Sequence, residues 1–330
     1  MIISKAFVIA SCSVLKNTFP ISILRIASSY ILMPSVADEI SAYTLFHKEQ
    51  LWMDNIAENL VEIRGGRGCN EMLKLTGPIV IVGAGPSVER FKLLDSIKKD
   101  KDALGATIVT TDKMLIPCLE ANLMPDYVVT VDGSPIIEKF YDSKLIDTSL
   151  VKAILATHTH PSVIKRFKGD KYWFNVAYES ERNLLDGSLP HIDRAVHWLT
   201  KKPICPGLGN AGAIAWSLAG SAGASPIVIC GLDYSYGTEL DAKKTLYWGA
   251  YKNKYGLSDA ETFDKCYRRE LNPWGHDVLT DEIWDHYKGF FFQAVKTTKI
   301  HTVNVSPYSI LHGTNIETRN WDGWVKTFTK

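Results

Sequence analysis

Apolar and polar positions fall into alternating blocks along this chain. The run "IVIV" at 79–82 is short, β-branched and apolar at every position, which predicts a strand buried on both faces. Similar runs recur at 107–111 (TIVTT), 127–132, 151–157, 172–176, 226–231 (PIVICG) and 301–305. Between them, apolar residues take helical spacing near 88–99, 113–122, 135–142, 210–222 and 281–298. Residues 38–63 also carry helical spacing, and "RGGRG" ends it. Strands alternating with helices predict an α/β fold with a doubly wound, mostly parallel Rossmann-like sheet. The expected organisation is an N-terminal helical segment over 1–76 and a sheet domain over 77–330. The polar, aromatic stretch 234–280 reads as a lid-like insertion near the site.

In such sheets ligands bind beyond the carboxyl ends of the strands, near a switch in strand order. Polar residues crowd those ends here: Gly83-Ala84-Gly85-Pro86-Ser87, Thr110-Thr111-Asp112, Asp132-Gly133-Ser134, Thr157-His158-Thr159-His160, Gly231-Leu232-Asp233-Tyr234-Ser235 and Asn304-Val305-Ser306. Each has a plain structural reading. Asp112 can cap a helix, Asp132 can hold a turn, and His158 or His160 can be an ordinary hydrogen-bonded histidine.

The first of these ends is a strand, a glycine turn and a helix start, an arrangement that offers backbone N–H groups to an anion. Gly83 and Gly85 fit the dinucleotide pattern, but its third glycine is replaced by Val88, and no P-loop pattern occurs anywhere. The turn therefore reads as a phosphate or nucleotide contact outside the NAD class, or as a tight turn alone. A second glycine-rich stretch, "CPGLGNAGAIAWSLAGSAGA" at 205–224, places Gly209 and Asn210 before a helix of small residues. It serves close packing on the sheet, a second anion or ribose contact, or both.

Composition narrows the classes. The chain has 330 residues, 46% hydrophobic and 22% charged, with a net charge of +1, so no general nucleic-acid field is implied. Six scattered cysteines form no C-x-x-C pair, which favours buried thiols in a reducing, cytoplasmic setting. The apolar start "MIISKAFVIASCSVL" has some signal-like character, but no stretch reaches the roughly 20 apolar residues of a spanning helix. A packed segment or an overlong start is the preferred reading.

The ordered set "IVGAGPS", "MPDYVVTVDGSP", "THTHP", "PGLGNAGAIAWSLAGSAGASPIVICGLDYSY" and "VNVSPYSILHG" resembles the MptE-like domain family, from about Asn55 to Gly313. That family includes the archaeal 6-hydroxymethylpterin diphosphokinase and the Maf motility accessory factors linked to flagellin glycosylation. The diphosphokinase branch implies pyrophosphate transfer from ATP with Mg²⁺, a paired acidic "DLDG" and a "HAHGDN" segment. This chain has a single Asp132 after Val131, and "THTHPSV" lacks the Gly-Asp-Asn. The Maf-like branch fits better: "PDYVVTVD", the histidine-proline, the G-x-D after "PIVI", and "VLTDEIWDHYKGFF" are all present.

The resemblance implies a transferase. Its favoured form is a glycosyltransferase using a nucleotide-activated sugar of the CMP-nonulosonate type. The alternatives are a diphosphokinase-like enzyme and a non-catalytic nucleotide-binding or scaffold protein. Gly83, Gly85, Pro86 and Ser87 would hold nucleotide phosphate, and Asp112, Gly209, Asn210, Asn304 and Ser306 would add nucleotide contacts. Asp132, His158, His160, Asp233 and His276 are the catalytic candidates. Asp132 would bind Mg²⁺ only on the diphosphokinase reading, and no other cofactor is implied. The expected partners are a nucleotide or nucleotide-sugar and a small-molecule or protein acceptor, without nucleic acid or a stable membrane span.

Overall fold

A computed structural model of the chain describes residues 36–72, 77–142, 147–177, 191–298, 300–313 and 315–328. The readings of the first 35 residues lie outside them. Residues Tyr43–Lys330 form one compact unit.

The elements, in chain order, begin with helix α1 (Val36–Gly65), β1 (Arg67–Gly68), β2 (Ile79–Val82), α2 (Ser87–Arg90) and α3 (Leu93–Leu104). Next come β3 (Thr107–Thr111), α4 (Asp112–Glu120), β4 (Tyr127–Thr130), β5 (Lys152–Ala156), α5 (Pro161–Arg166) and β6 (Lys171–Val176). They continue with α6 (His191–Thr200), β7 (Ile204–Cys205), α7 (Ala211–Ser221) and β8 (Ile227–Cys230). The last third holds α8 (Glu239–Lys243), α9 (Leu246–Tyr255), α10 (Asp259–Cys266), the hairpin β9 (Tyr267–Leu271) and β10 (Asp277–Asp281), and α11 (Glu282–Thr298). It closes with β11 (Thr302–Asn304), β12 (Ile316–Thr318) and α12 (Trp321–Phe328).

The main sheet runs β1-β6-β5-β4-β3-β2-β8-β11-β12, with β7 also paired to β6, and every pairing in it is parallel. From β2 the chain builds outward through β3 to β7. It then returns along α7 to lay β8 on the other side of β2. The order of winding therefore reverses between β2 and β8, and their carboxyl ends open a crevice.

The alternation within each strand explains why both faces are covered. Ile79, Ile81, Ile227 and Ile229 pack with Trp216 of α7 and with Phe291 and Val295 of α11. Val80, Val82, Val228 and Cys230 face the opposite way, onto Leu93 and Ile97 of α3 and Trp321 and Trp324 of α12. Strands buried on both faces read as unbroken apolar runs, which made them legible in the sequence. Small residues let α7 lie close on the sheet: a Cβ on Gly212 would come within 2.9 Å of Leu232 Cδ1.

Several expectations need correction. The helix expected over 88–99 is two helices, because Lys92 takes a left-handed conformation (φ 50°) at the corner between them. Residues 135–140 form a 3₁₀ turn that starts at Pro135, rather than a continuous α-helix. Segment 234–280, to which the sequence pattern assigns no elements, holds three capped helices and most of a hairpin. Thr238, Thr245 and Ser258 each accept a backbone N–H at a helix start. Tyr236 and Leu279 exchange backbone hydrogen bonds of 2.7 and 2.9 Å, which fasten the hairpin to the segment after β8.

Candidate active site

Three loops meet at the switch point. The turn after β2 is bonded to β8 by Gly83 N to Cys230 O (2.7 Å) and Gly85 N to Gly231 O (2.9 Å). Gly231 N donates to Ser306 Oγ (2.8 Å), and Ser309 Oγ donates to Leu232 O (3.0 Å). Asn304 braces the third loop by donating to Ser309 Oγ (2.9 Å) and Leu311 O (2.8 Å) and accepting Ser306 N (3.0 Å). Asn304 and Ser306 are fully buried, so their polar groups hold the loops together rather than facing the crevice.

Ser87 is equally committed. Its N–H donates to Asp233 Oδ2 (2.8 Å), and its hydroxyl accepts Tyr308 N (2.9 Å). A Cβ on Gly85 would lie 2.6 Å from Asp233 Oδ2 and 2.7 Å from Gly231 O, so only glycine lets the two loops approach this closely. Val88, which stands where the dinucleotide pattern has its third glycine, packs against Gly231, whose φ is +74° and whose missing Cβ makes the room.

A cavity of about 810 Å³ opens above these loops. Its floor includes Ala84, Gly85 and Pro86 of the turn, Asp112 at the start of α4, Asn210 at the start of α7, and Asp233. Tyr234, Tyr236, Thr245 and Trp284 of the inserted segment and α11 line it as well. Asn210 caps α7 by accepting Ala213 N (2.9 Å) and donates to Tyr234 OH (2.9 Å). Gly209 (φ +83°) lies directly under the Tyr287 ring, which leaves no room for a side chain.

Two buried carboxyls characterise the cavity. Burial pushes Asp233 up to about 7, against the Ser87 N–H and the nearby hydroxyls of Ser87 and Ser306. Burial also pushes Asp112 up to about 7; the Lys113 N–H opposes it, and the charge of nearby Asp132 adds to it. Thr111 Oγ1, Asp233 Oδ1 and Trp284 Nε1 are buried and make no hydrogen bond. Buried polar atoms left without partners along a cavity wall point to a polar ligand or ordered water.

The other sequence candidates sit elsewhere. Asp132, after β4, is half-buried; its Oδ1 accepts Ser134 N (2.9 Å) and lies 3.7 Å from Lys48 Nζ. His158 is buried against the Trp52 ring (centroids 4.9 Å apart), and burial lowers its pKa to about 4. Asn55 of α1 clamps this region by donating to Gly133 O (2.8 Å) and His158 O (2.9 Å). His160 caps α5, its Nδ1 lying 2.8 Å from Ser162 Oγ. His276 stacks between Phe91 and Tyr308 in the hairpin turn (5.5 and 5.3 Å). None of these four lines the cavity, whereas Asp233 does.

Mg²⁺ finds a poor fit at Asp132. Lys48 already supplies the positive charge there, and no cluster of three His, Cys, Asp or Glu side chains among the described residues is placed to hold a metal. The described thiols are all free, and burial raises those of Cys118 to about 11 and Cys205 to about 12, which leaves them poor nucleophiles at neutral pH.

Sequence reading missed Thr111 as a cavity group, Trp284 and Tyr236 as its aromatic wall, and the rim lysines Lys92, Lys113 and Lys244. "TTD" and "DEIW" carried a signal for the first two. The αL corner that turns Lys92 to the rim has none.

The architecture is thus that of a doubly wound, Rossmann-like α/β protein with a ligand-sized cavity at its switch point. The family model for "6-hydroxymethylpterin diphosphokinase MptE-like" matches residues 54–239, more than half of the chain, and the chain belongs to that MptE-like family. Among solved structures, a Maf glycosyltransferase from Magnetospirillum magneticum AMB-1 shares the fold, with a TM-score of 0.55 and 13% identity over 90% of this chain. The match spans 45% of that protein's length. No curated protein sequence matches the chain. No helix among the described residues is long and apolar enough to cross a membrane.

Proposed function

We propose that the chain is a nucleotide-dependent transferase whose switch-point cavity binds the nucleotide part of an activated donor. The supporting observation is the cavity itself: about 810 Å³, at the carboxyl ends of β2, β3 and β8, with unpartnered Thr111 Oγ1 and Asp233 Oδ1 on its wall. Asp112 ends the second strand of the winding, where nucleotide folds place the acid that takes ribose hydroxyls. Ala84, Gly85 and Pro86 of the turn and Asn210 line its floor.

The favoured reaction is glycosyl transfer from a donor of the CMP-nonulosonate type. The acceptor hydroxyl attacks the anomeric carbon, the bond from that carbon to the phosphate oxygen breaks, and the nucleotide leaves with the bonding electrons. A carboxylate of the cavity takes the acceptor proton. Five carboxylates line the cavity, Glu89, Asp95, Asp112, Asp233 and Asp241, and the one nearest the anomeric carbon takes that task. The similarity of fold to a Maf glycosyltransferase supports this choice. The family model's own description supports a second reading, pyrophosphate transfer from ATP to a pterin.

Thermal unfolding against CMP, CDP, UDP, NAD⁺ and ATP with and without Mg²⁺ tests the proposal. A ligand specific for the folded state at a hundredfold excess over Kd adds about 2.7 kcal/mol. A shift with cytidine nucleotides supports sugar transfer. A shift with ATP only when Mg²⁺ is present replaces it with the diphosphokinase reading. No shift with any nucleotide overturns both.

A further inference from the structure

The two most deeply buried charged residues of the cavity are acids, Asp112 and Asp233, at 8% and 2% exposure. The lysines that line it, Lys92, Lys113 and Lys244, are all exposed. Glu89, Asp95 and Asp241 line it as well; Asp241 pairs with Arg90, whereas none of the three lysines forms an ion pair with a described residue. Lys92 is held in the left-handed region (φ 50°), a conformation that disfavours a residue with a Cβ by about 1 kcal/mol or more. The strained corner sits where the chain lines the cavity.

The deep end cannot receive a phosphate. The Ser87 N–H, which a glycine turn would ordinarily present to an anion, is occupied by the protein's own carboxylate at 2.8 Å. A phosphate there would face Asp233 and Asp112 with no buried cation among the described lining residues to offset it. Asp233 Oδ1 and the Thr111 hydroxyl, buried atoms of two lining residues, have no hydrogen-bond partner. A small rotation of either side chain into the cavity would let a sugar hydroxyl supply one.

We propose that the donor enters with its hydroxyl-bearing sugar on Asp112 and Asp233 and leaves its phosphate at the rim, held by Lys92, Lys113 and Lys244 instead of by the glycine turn. Lysine binds phosphate as a mobile point charge, so flexible exposed side chains suffice. This orientation rests on the nucleotide-binding reading above and extends it. It puts the scissile phosphate bond toward the mouth, where an acceptor as large as a protein side chain can reach it.

The test compares CMP with cytidine, and ATP with adenosine, by calorimetry on the full chain and on the triple variant Lys92→Gln/Lys113→Gln/Lys244→Gln. Thermal unfolding verifies that the variant is folded. In the triple variant we expect the nucleotide-over-nucleoside preference to fall about tenfold or more, nucleoside affinity to hold, and the salt dependence of nucleotide binding to flatten. An unchanged preference in the triple variant overturns this orientation while leaving the nucleotide reading intact. Failure of the unaltered chain to bind any of the four compounds overturns both.

Discussion

Asp233 Oδ2 accepts the backbone N–H of Ser87 at 2.8 Å and so places a side chain of the β8 loop at the start of the helix that follows β2. The anion that this glycine turn invites is already built into the protein. The contact joins the two strands that flank the switch point, and it makes Asp233 both a structural link and a wall of the cavity.

The first prediction concerns pH. Asp112 and Asp233 are each raised from 3.8 to about 7, so the folded state holds their protons more tightly than the unfolded state does. Their contribution to stability is present at low pH and is lost as pH rises through that window. His158 acts in the opposite sense: lowered from 6.5 to about 4, it favours the folded state above 6.5 and that contribution is lost as pH falls toward 4. Asp233→Asn keeps an acceptor for Ser87 N–H but has no proton to lose. Its melting temperature should fall less than that of the wild type between pH 5 and 8, by about 2 °C or more. Equal slopes for the two proteins would count against a buried, titrating Asp233.

Gly231→Ala should destabilise strongly. The new methyl group would enter at φ +74° against Gly83 O and Val88. Left-handed backbone and overpacking together amount to roughly 2–4 kcal/mol. Urea denaturation reads this directly, and a loss below about 0.5 kcal/mol would mean that the loops are not packed as described.

Asn55→Ala should leave two buried carbonyls, Gly133 O and His158 O, without their donor. The expected loss is about 1–3 kcal/mol. The neighbouring His158 ring, buried against Trp52, should by NMR remain neutral until pH approaches about 4. A His158 titration near 6.5 would contradict its burial.

Asp112→Asn separates binding from scaffold. Its Oδ1 accepts only the adjacent Lys113 N–H at 2.6 Å, and an amide oxygen can do the same, so the fold should survive. Affinity for the nucleoside identified in the ligand panel should drop about tenfold, because a charged acceptor of ribose hydroxyls becomes a neutral one. Unchanged affinity would remove Asp112 from the site.

The sheet was legible because burial on both faces leaves an unmistakable run such as "IVIV" or "PIVIC". The short edge strands β1, β7 and β12 were not, since two or three residues carry no period. The helices after β8 were hidden by composition: their stability comes from caps such as Ser258 with Glu261 and from the aromatic cluster around Trp284. For the site, strand ends gave Asp112 and Asp233 and the second glycine-rich stretch gave Asn210, all of which line the cavity. The same logic could not tell these from Asn304 and Ser306, which also end a strand yet spend their hydrogen bonds on one another's loops. Which polar group faces ligand and which faces its neighbour is decided by partners distant in sequence.

Val88 and Gly231 carry that dependence one step further. In a dinucleotide fingerprint, the small residue that lets helix and strand meet belongs to the fingerprint itself. Here the vacancy is lent by another strand, so the two positions form a single steric unit with a shared allowance of volume. A methyl group added at 231 should be tolerated only where 88 has shrunk. Alanine at 231 combined with glycine at 88 should recover only the share of the loss that comes from Val88, because the contact with Gly83 O and the left-handed φ remain, a partial positive epistasis. Drift in this fold must therefore pass through coupled exchanges, and a motif search confined to contiguous residues will read such a protein as having lost a glycine that it has in fact moved.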